Sequence, residues 1–242
     1  MKHFWLIGLA ALLAACGKTE TANAPAPAEK PAVEAAAEPA APQKRWFIAA
    51  ANPHAAAAGA AVLKRGGTAV DAAVATQAVL GLVEPQSSGF GGGAFMIHYD
   101  PASGVLETYN GRETAPASAT PERFLTEIGE PMDYYDAIVG GLSVGVPGVV
   151  RMLEFAHQEH GGLAWNALFN DAIALSRDGF EVSPRLHSLL ARPYRLKNLP
   201  TAGAYFYDAA GEPWPVGHRL KNPAYAQTLE TIAEGGADAF YS

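Results

Sequence analysis

Glu84-Pro-Gln-Ser-Ser-Gly-Phe-Gly-Gly-Gly93 leads into two apolar runs, Ala94–Tyr99 and Val105–Tyr109. A turn at Asp100–Gly104 separates them, and Asn110-Gly-Arg-Glu-Thr-Ala-Pro116 follows. The runs have strand length and the connection is short and polar, so the stretch predicts a β-hairpin. Along Phe95–Tyr99 large side chains fall on both faces, as in a sheet covered on two sides. Glycines before the first strand let the backbone take positive φ and pass close to bulky groups. Arg112 follows the second strand on a turn, and a planar, permanently charged fork there suits a carboxylate or phosphate. A salt bridge to the neighbouring Glu113 accounts for the arginine equally well, so the residues alone leave both readings open.

Upstream, Trp46–Ala51 reads as a short strand. Asn52-Pro53 supplies a cap and first-turn proline for a helix through Arg65, closed by Gly66-Gly67. Thr68, with Asp71 three residues on, opens a second helix to about Val83, rich in small residues that allow close packing. Downstream, Pro121–Ile128 reads as a short helix and Asp136–Gly141 as a loop leading to Leu142–Val146. Helices follow at Val149–His160, at Ala164–Asp178 (ended by Gly179) and at Pro184–Arg195, the last capped by Ser183. Tyr205–Tyr207 with the Ala209–Pro215 turn predicts a peripheral hairpin. Asn222-Pro223 starts a last helix to Glu234. The mixture is α/β (α+β).

Each motif with chemical meaning has a structural alternative. Gly89-Phe-Gly91-Gly-Gly-Ala94 fits the letters of a dinucleotide fingerprint, but a helix precedes it and a strand follows. That order reverses what places a pyrophosphate on a helix N-terminus, so the nucleotide reading fails. Gly141-Leu-Ser143-Val-Gly145 fits the nucleophile elbow of α/β-hydrolases, with Asp178 or Asp208 and then His218 in the right order. Pro147 and Gly148 stand where the elbow's helix should propagate, which favours a plain glycine-rich turn. His157 and His160 form a possible pair of metal ligands, but no third ligand at a suitable spacing is evident, and zinc is set aside. Asp71 reads as a helix cap rather than a catalytic acid.

The formal net charge of −7 and the lack of a basic run after residue 45 argue against nucleic-acid binding. Lys2 and His3 precede an apolar run, Phe4–Ala15, too short to span a bilayer, which reads as a secretory signal over residues 1–15. It ends Leu13-Ala14-Ala15-Cys16, a pattern similar to the lipobox of bacterial lipoproteins. Cys16, the single cysteine, is then the lipidation site and excludes a disulfide framework. Several acyl chains would give stable anchoring. Gly17 after it fits outer-membrane delivery on the periplasmic side. Residues 16–44 hold mostly Ala, Pro and Glu and read as a tether; residues 45–242 form the folded domain.

Beyond these readings the chain resembles the gamma-glutamyltransferases (glutathione hydrolases). The resemblance rests on Gly66-Gly-Thr-Ala-Val-Asp-Ala-Ala-Val-Ala75, Val83–Gly93 and Gly111-Arg-Glu-Thr-Ala-Pro116. Gly145-Val-Pro-Gly148, Ala174–Phe180 and Gly236-Ala-Asp-Ala-Phe-Tyr241 add to it, with Thr68 standing where asparagine is usual. It implies an Ntn-hydrolase αββα sandwich, made as a precursor that cuts itself into a large and a small subunit. The small subunit's new N-terminal threonine is the nucleophile and its own α-amine the base. It attacks the γ-amide of glutathione or another γ-glutamyl substrate, and water or an acceptor amine resolves the γ-glutamyl-enzyme. No metal or organic cofactor is implied. Arg112 matches the family arginine that binds the α-carboxylate of the γ-glutamyl group.

No threonine of this chain stands in a context resembling the family nucleophile, so no catalytic residue is assigned. The chain is expected to be the N-terminal part of the large subunit, with an incomplete sandwich. It should be inactive without the small catalytic subunit. The alternatives are a non-catalytic lipoprotein that binds amino acids or peptides through Arg112, and a serine hydrolase using Ser143. A related acylase specificity also fits the scaffold.

Overall fold

A computed structural model describes residues 46–193 and 196–242. The expected signal peptide, Cys16 and the tether lie outside the described residues. Helix α1 (Pro53–Lys64) begins where the Asn52 side chain accepts a hydrogen bond from the His54 N–H, with Pro53 in its first turn. Helix α2 (Ala69–Val83) opens with the expected reciprocal cap, Thr68 to the Asp71 N–H and Asp71 to the Thr68 N–H. It is buried on nearly all sides, as a helix apolar around its circumference must be.

Trp46–Ala51 pairs with no strand among the described residues, contrary to expectation. Its Ile48 instead lies over Gly59 of α1, where a Cβ would collide with it. Side-chain packing on the helix pair has replaced ladder pairing there.

Strands β1 (Ala94–Asp100) and β2 (Val105–Gly111) form the predicted antiparallel hairpin, in register from Ala94↔Gly111 to Asp100↔Val105. The Asp100 carboxylate accepts from the Ala102 and Ser103 N–H groups and sets the turn. Coverage on two sides is not observed among the described residues. Met96 and Tyr109 face the core, whereas Phe95, Ile97, Tyr99 and Leu106 on the other face are 57–71 % exposed.

Pro121–Ile128 is a run of turns rather than a helix. Gly129 at φ 82° folds the chain back so that Thr126 N–H donates to Glu130 O and Leu125 bridges Pro131. Helix α3 (Tyr134–Ile138), capped by Asp133, occupies ground read as loop, and a 3₁₀ turn follows at Gly141–Ser143. Helix α4 (Val149–His160) has the predicted bounds. The helix expected over Ala164–Asp178 is split into a 3₁₀ turn, Trp165–Leu168, and α5 (Asn170–Asp178). Trp165 and Phe169 both turn inward at the break, 4.9 Å apart edge to face, and the indole N–H donates to Ile232 O.

Strand β3 (Phe180–Glu181) precedes α6 (Pro184–Leu190), which Ser183 caps as expected but which ends early. Tyr205 and Phe206 belong to α7 (Pro200–Phe206), started by its proline, so the expected hairpin reduces to a bridge between Tyr207 and Pro213. Strand β4 (Arg219–Leu220) pairs with β3. Helix α8 (Pro223–Gly235) runs from the Asn222 cap and stops at Gly236, φ 68°, before α9 (Asp238–Tyr241). Helix α2 packs against α1, α4 and α5 at the centre of the core. No described helix is long and apolar enough to cross a membrane.

Candidate functional site

The glycine loop is fixed by the one large side chain within it. Phe90 is buried, with its ring 6.3 Å from Phe169 and 6.4 Å from Tyr225, so the flanking glycines are held at the core's edge. From there Gly92 O accepts hydrogen bonds from the Gly148 and Val149 N–H groups at 3.1 and 3.3 Å, joining the loop to the start of α4. Gly148 sits against the Gly111 carbonyl so closely that a Cβ would overlap backbone atoms. Thr114 and Val146 exchange N–H···O bonds of 3.2 and 2.8 Å. Three segments distant in sequence thus converge where β2 ends, and Arg112 emerges from that junction.

Arg112 borders a shallow cleft of about 310 Å³, lined also by Asn110, Pro147, Gly148, Arg151 and Tyr241. Two guanidinium groups reach it, and they are differently committed. Arg151 donates to Glu154 at 2.7 Å, pairs with Asp238 and lies over the Tyr241 ring, 5.5 Å from its centroid. The Arg112 side chain is 72 % exposed, and its Nε lies 4.0 Å from a Glu113 carboxylate oxygen. An exposed pair at that separation is worth about 0–1 kcal/mol. The fork is therefore only weakly held by Glu113, and its planar set of donors has the geometry that a carboxylate matches.

The rival motifs are engaged elsewhere. Ser143 lies on a 3₁₀ turn with no strand before it, and its hydroxyl donates to Ile138 O at 2.9 Å. His218 stacks on Trp214 at 4.0 Å, and Asp208 accepts from the Ala210 and Glu212 N–H groups. The fingerprint glycines sit between α2 and β1, the reverse of a nucleotide-binding order. Asp71 is fully buried; besides capping α2 it accepts from the Gly162 and Leu163 N–H groups. It is a structural carboxylate.

The sequence reading missed two clusters. Glu84 is buried, yet accepts from Asn52 Nδ2 at 3.2 Å and pairs with Arg185 Nε at 3.1 Å, which satisfies its charge. The histidines of α4 do not act as a pair. His157 contacts Leu163 O at 2.9 Å and Asp71 at 3.4 Å, whereas His160 faces the hairpin, 2.8 Å from Glu107 and stacked on His98 at 3.8 Å. Partners for His160 exist, but on strands no local spacing rule could connect with it. Beside them, burial and the Glu159 carboxylate that accepts its proton push the Tyr109 phenol pKa up.

Residues 55–242 match the family model for gamma-glutamyltranspeptidase. The chain belongs to that family. It is 38 % identical over 198 residues to the glutathione hydrolase proenzyme of Bacillus subtilis (strain 168), covering 82 % of this chain and 34 % of that protein. The structure resembles the Helicobacter pylori gamma-glutamyltranspeptidase with a TM-score of 0.77 at 30 % identity, over 84 % of this chain and 58 % of that one. The enzyme from Pseudomonas nitroreducens, complexed with L-DON, gives a TM-score of 0.74 at 37 % identity, covering 83 % of this chain and 58 % of that one. The chain spans about a third of the length of the curated relatives it matches. Its architecture is part of the Ntn-hydrolase fold of these neighbours, mixed helix and sheet.

Proposed function

We propose that this chain is the N-terminal portion of the large subunit of a glutathione hydrolase. In this reading Arg112 holds the α-carboxylate of a γ-glutamyl substrate. The observation that supports it is the exposed Arg112 fork, set on a rigid junction of glycine segments. Two parallel N–H···O bonds from the fork would fix the substrate's α-amino acid end and discriminate against amides lacking that carboxylate. The bond broken is the γ-amide; a small subunit provides the N-terminal threonine whose α-amine takes the hydroxyl proton. Water or an acceptor amine then releases the γ-glutamyl group. The hydrogen bond from Ser143 to Ile138 O weighs against the serine-hydrolase reading.

The N-terminal pattern around Cys16 supports lipid attachment, with the domain held on the periplasmic side of the outer membrane.

The test joins genetics and kinetics. DNA beyond codon 242, or beside it, should encode a catalytic half with a processing threonine. Co-expressed with that half, Arg112→Lys should raise KM for a γ-glutamyl anilide strongly while leaving the acyl-enzyme chemistry intact. An unchanged KM would return Arg112 to the role of a surface ion-pair residue.

A further inference from the structure

The inner face of the hairpin carries polar groups that packing does not explain. His98 and Glu107 are directly opposite each other across the β1–β2 ladder, and His160 comes down on them from the last turn of α4. Glu107 Oε2 lies 2.8 Å from His160 Nε2 and 3.5 Å from His98 Nδ1, and the three ligand atoms all fall within 4.8 Å of one another. His98 Nδ1 is buried and has no hydrogen-bond partner, a costly state for a ring nitrogen unless something else takes its lone pair. The three side chains are 18 %, 39 % and 23 % exposed in chain order, so the cluster is walled but open to solvent on one side.

We propose that His98, Glu107 and His160 form a binding site for a divalent transition cation of the Zn²⁺ type. Two imidazoles and one carboxylate are a zinc ligand set that leaves a fourth position for water. Ligand atoms about 2.0–2.1 Å from a tetrahedral Zn²⁺ stand roughly 3.3 Å apart. The His98–Glu107 separation already matches this spacing, and the His160–Glu107 contact needs to open by about half an ångström. His160 Nε2 is also 2.9 Å from the Tyr109 hydroxyl, which donates its own proton to Glu159. Binding therefore moves the His160 proton to Nδ1 or into solvent and releases the Tyr109 contact. The ion would tie β1, β2 and α4 together. Glu107 precedes Arg112 by five positions on the hairpin, or about 17 Å of strand, so the ion does not reach the carboxylate-binding fork.

The full chain, freed of metal by chelation, should be titrated with Zn²⁺ by calorimetry at neutral pH, with thermal denaturation in parallel. One equivalent should bind and raise the melting temperature by several degrees. His98→Ala and His160→Ala should each weaken binding about a hundredfold or more, whereas Tyr109→Phe should bind as well as the parent or better. Mg²⁺ should not compete, since hard cations require oxygen ligands. X-ray absorption of the Zn²⁺-loaded parent protein provides a readout that needs no variant, and two imidazole shells are expected. An oxygen-only shell, equal affinity in the His98→Ala/His160→Ala double variant, competition by equimolar Mg²⁺, or no stoichiometric binding would each overturn the proposal.

Discussion

The two faces of the β1–β2 hairpin reverse the usual arrangement of a half-covered sheet. The face turned toward α4 holds His98, Glu107 and Tyr109, while the face turned away holds Phe95, Ile97, Tyr99 and Leu106. An antiparallel sheet with one solvated side ordinarily puts its polar residues outward. The inward polar set survives because its members contact one another, and the outward apolar set forms a contiguous patch of the kind that marks a surface meant for burial. The hairpin thus reads as the inner layer of a sandwich, consistent with the Ntn-hydrolase neighbours.

The strongest way to break this contrast is to lift α4 off the inner face. Gly148→Ala places a Cβ on the Gly111 backbone and should destabilise the domain by about 3 kcal/mol or more, read by urea denaturation. Arg112→Lys, at the hairpin's end, should leave that midpoint unmoved; in the enzyme proposed above, assembled with its catalytic half, it should raise KM roughly tenfold to a hundredfold, or about 1.4–2.8 kcal/mol. Tyr109→Phe removes one polar bridge from the inner face and should cost about 1 kcal/mol in the same denaturation measurement. Ile97→Thr on the outer face should change stability by no more than about 0.5 kcal/mol in this chain while improving solubility. A loss of 2 kcal/mol or more there would mean that the face is already covered, by self-association for instance.

What was legible in the sequence was local. The caps at Asn52, Thr68, Ser183 and Asn222 each depend on a side chain reaching a backbone N–H two or three residues on, and all four are present. The hairpin register follows from its turn. What was not legible depended on packing between distant segments. Trp46–Ala51 has strand-forming residues, but Ile48 found a glycine on α1 before it found a ladder. Tyr205 and Phe206 have β propensity, yet Pro200 started a helix that enclosed them. Arg112 could be named from its motif, whereas the looseness of its pair with Glu113, 4.0 Å apart, became apparent only when Glu113 was seen lying against Gly93 and Gly145. His160 was visible as one of a pair on α4; its real partners required the hairpin to be folded beneath it.

One carboxylate also orders events in time. Asp71 bonds to the Thr68 N–H three residues away and to the Gly162 N–H 91 residues away. The first contact can form within a nascent helix in well under a millisecond, while the second must wait for a long loop to close. The same turn holds the Asp71 N–H on the Thr68 hydroxyl, so Thr68→Ala, which removes that bond, should slow refolding. Asp71→Asn should in addition speed unfolding, since the contacts to Gly162 and Leu163 belong to the late part of the path. Stopped-flow chevrons of the two variants would show whether the buried aspartate acts as a latch that shuts last.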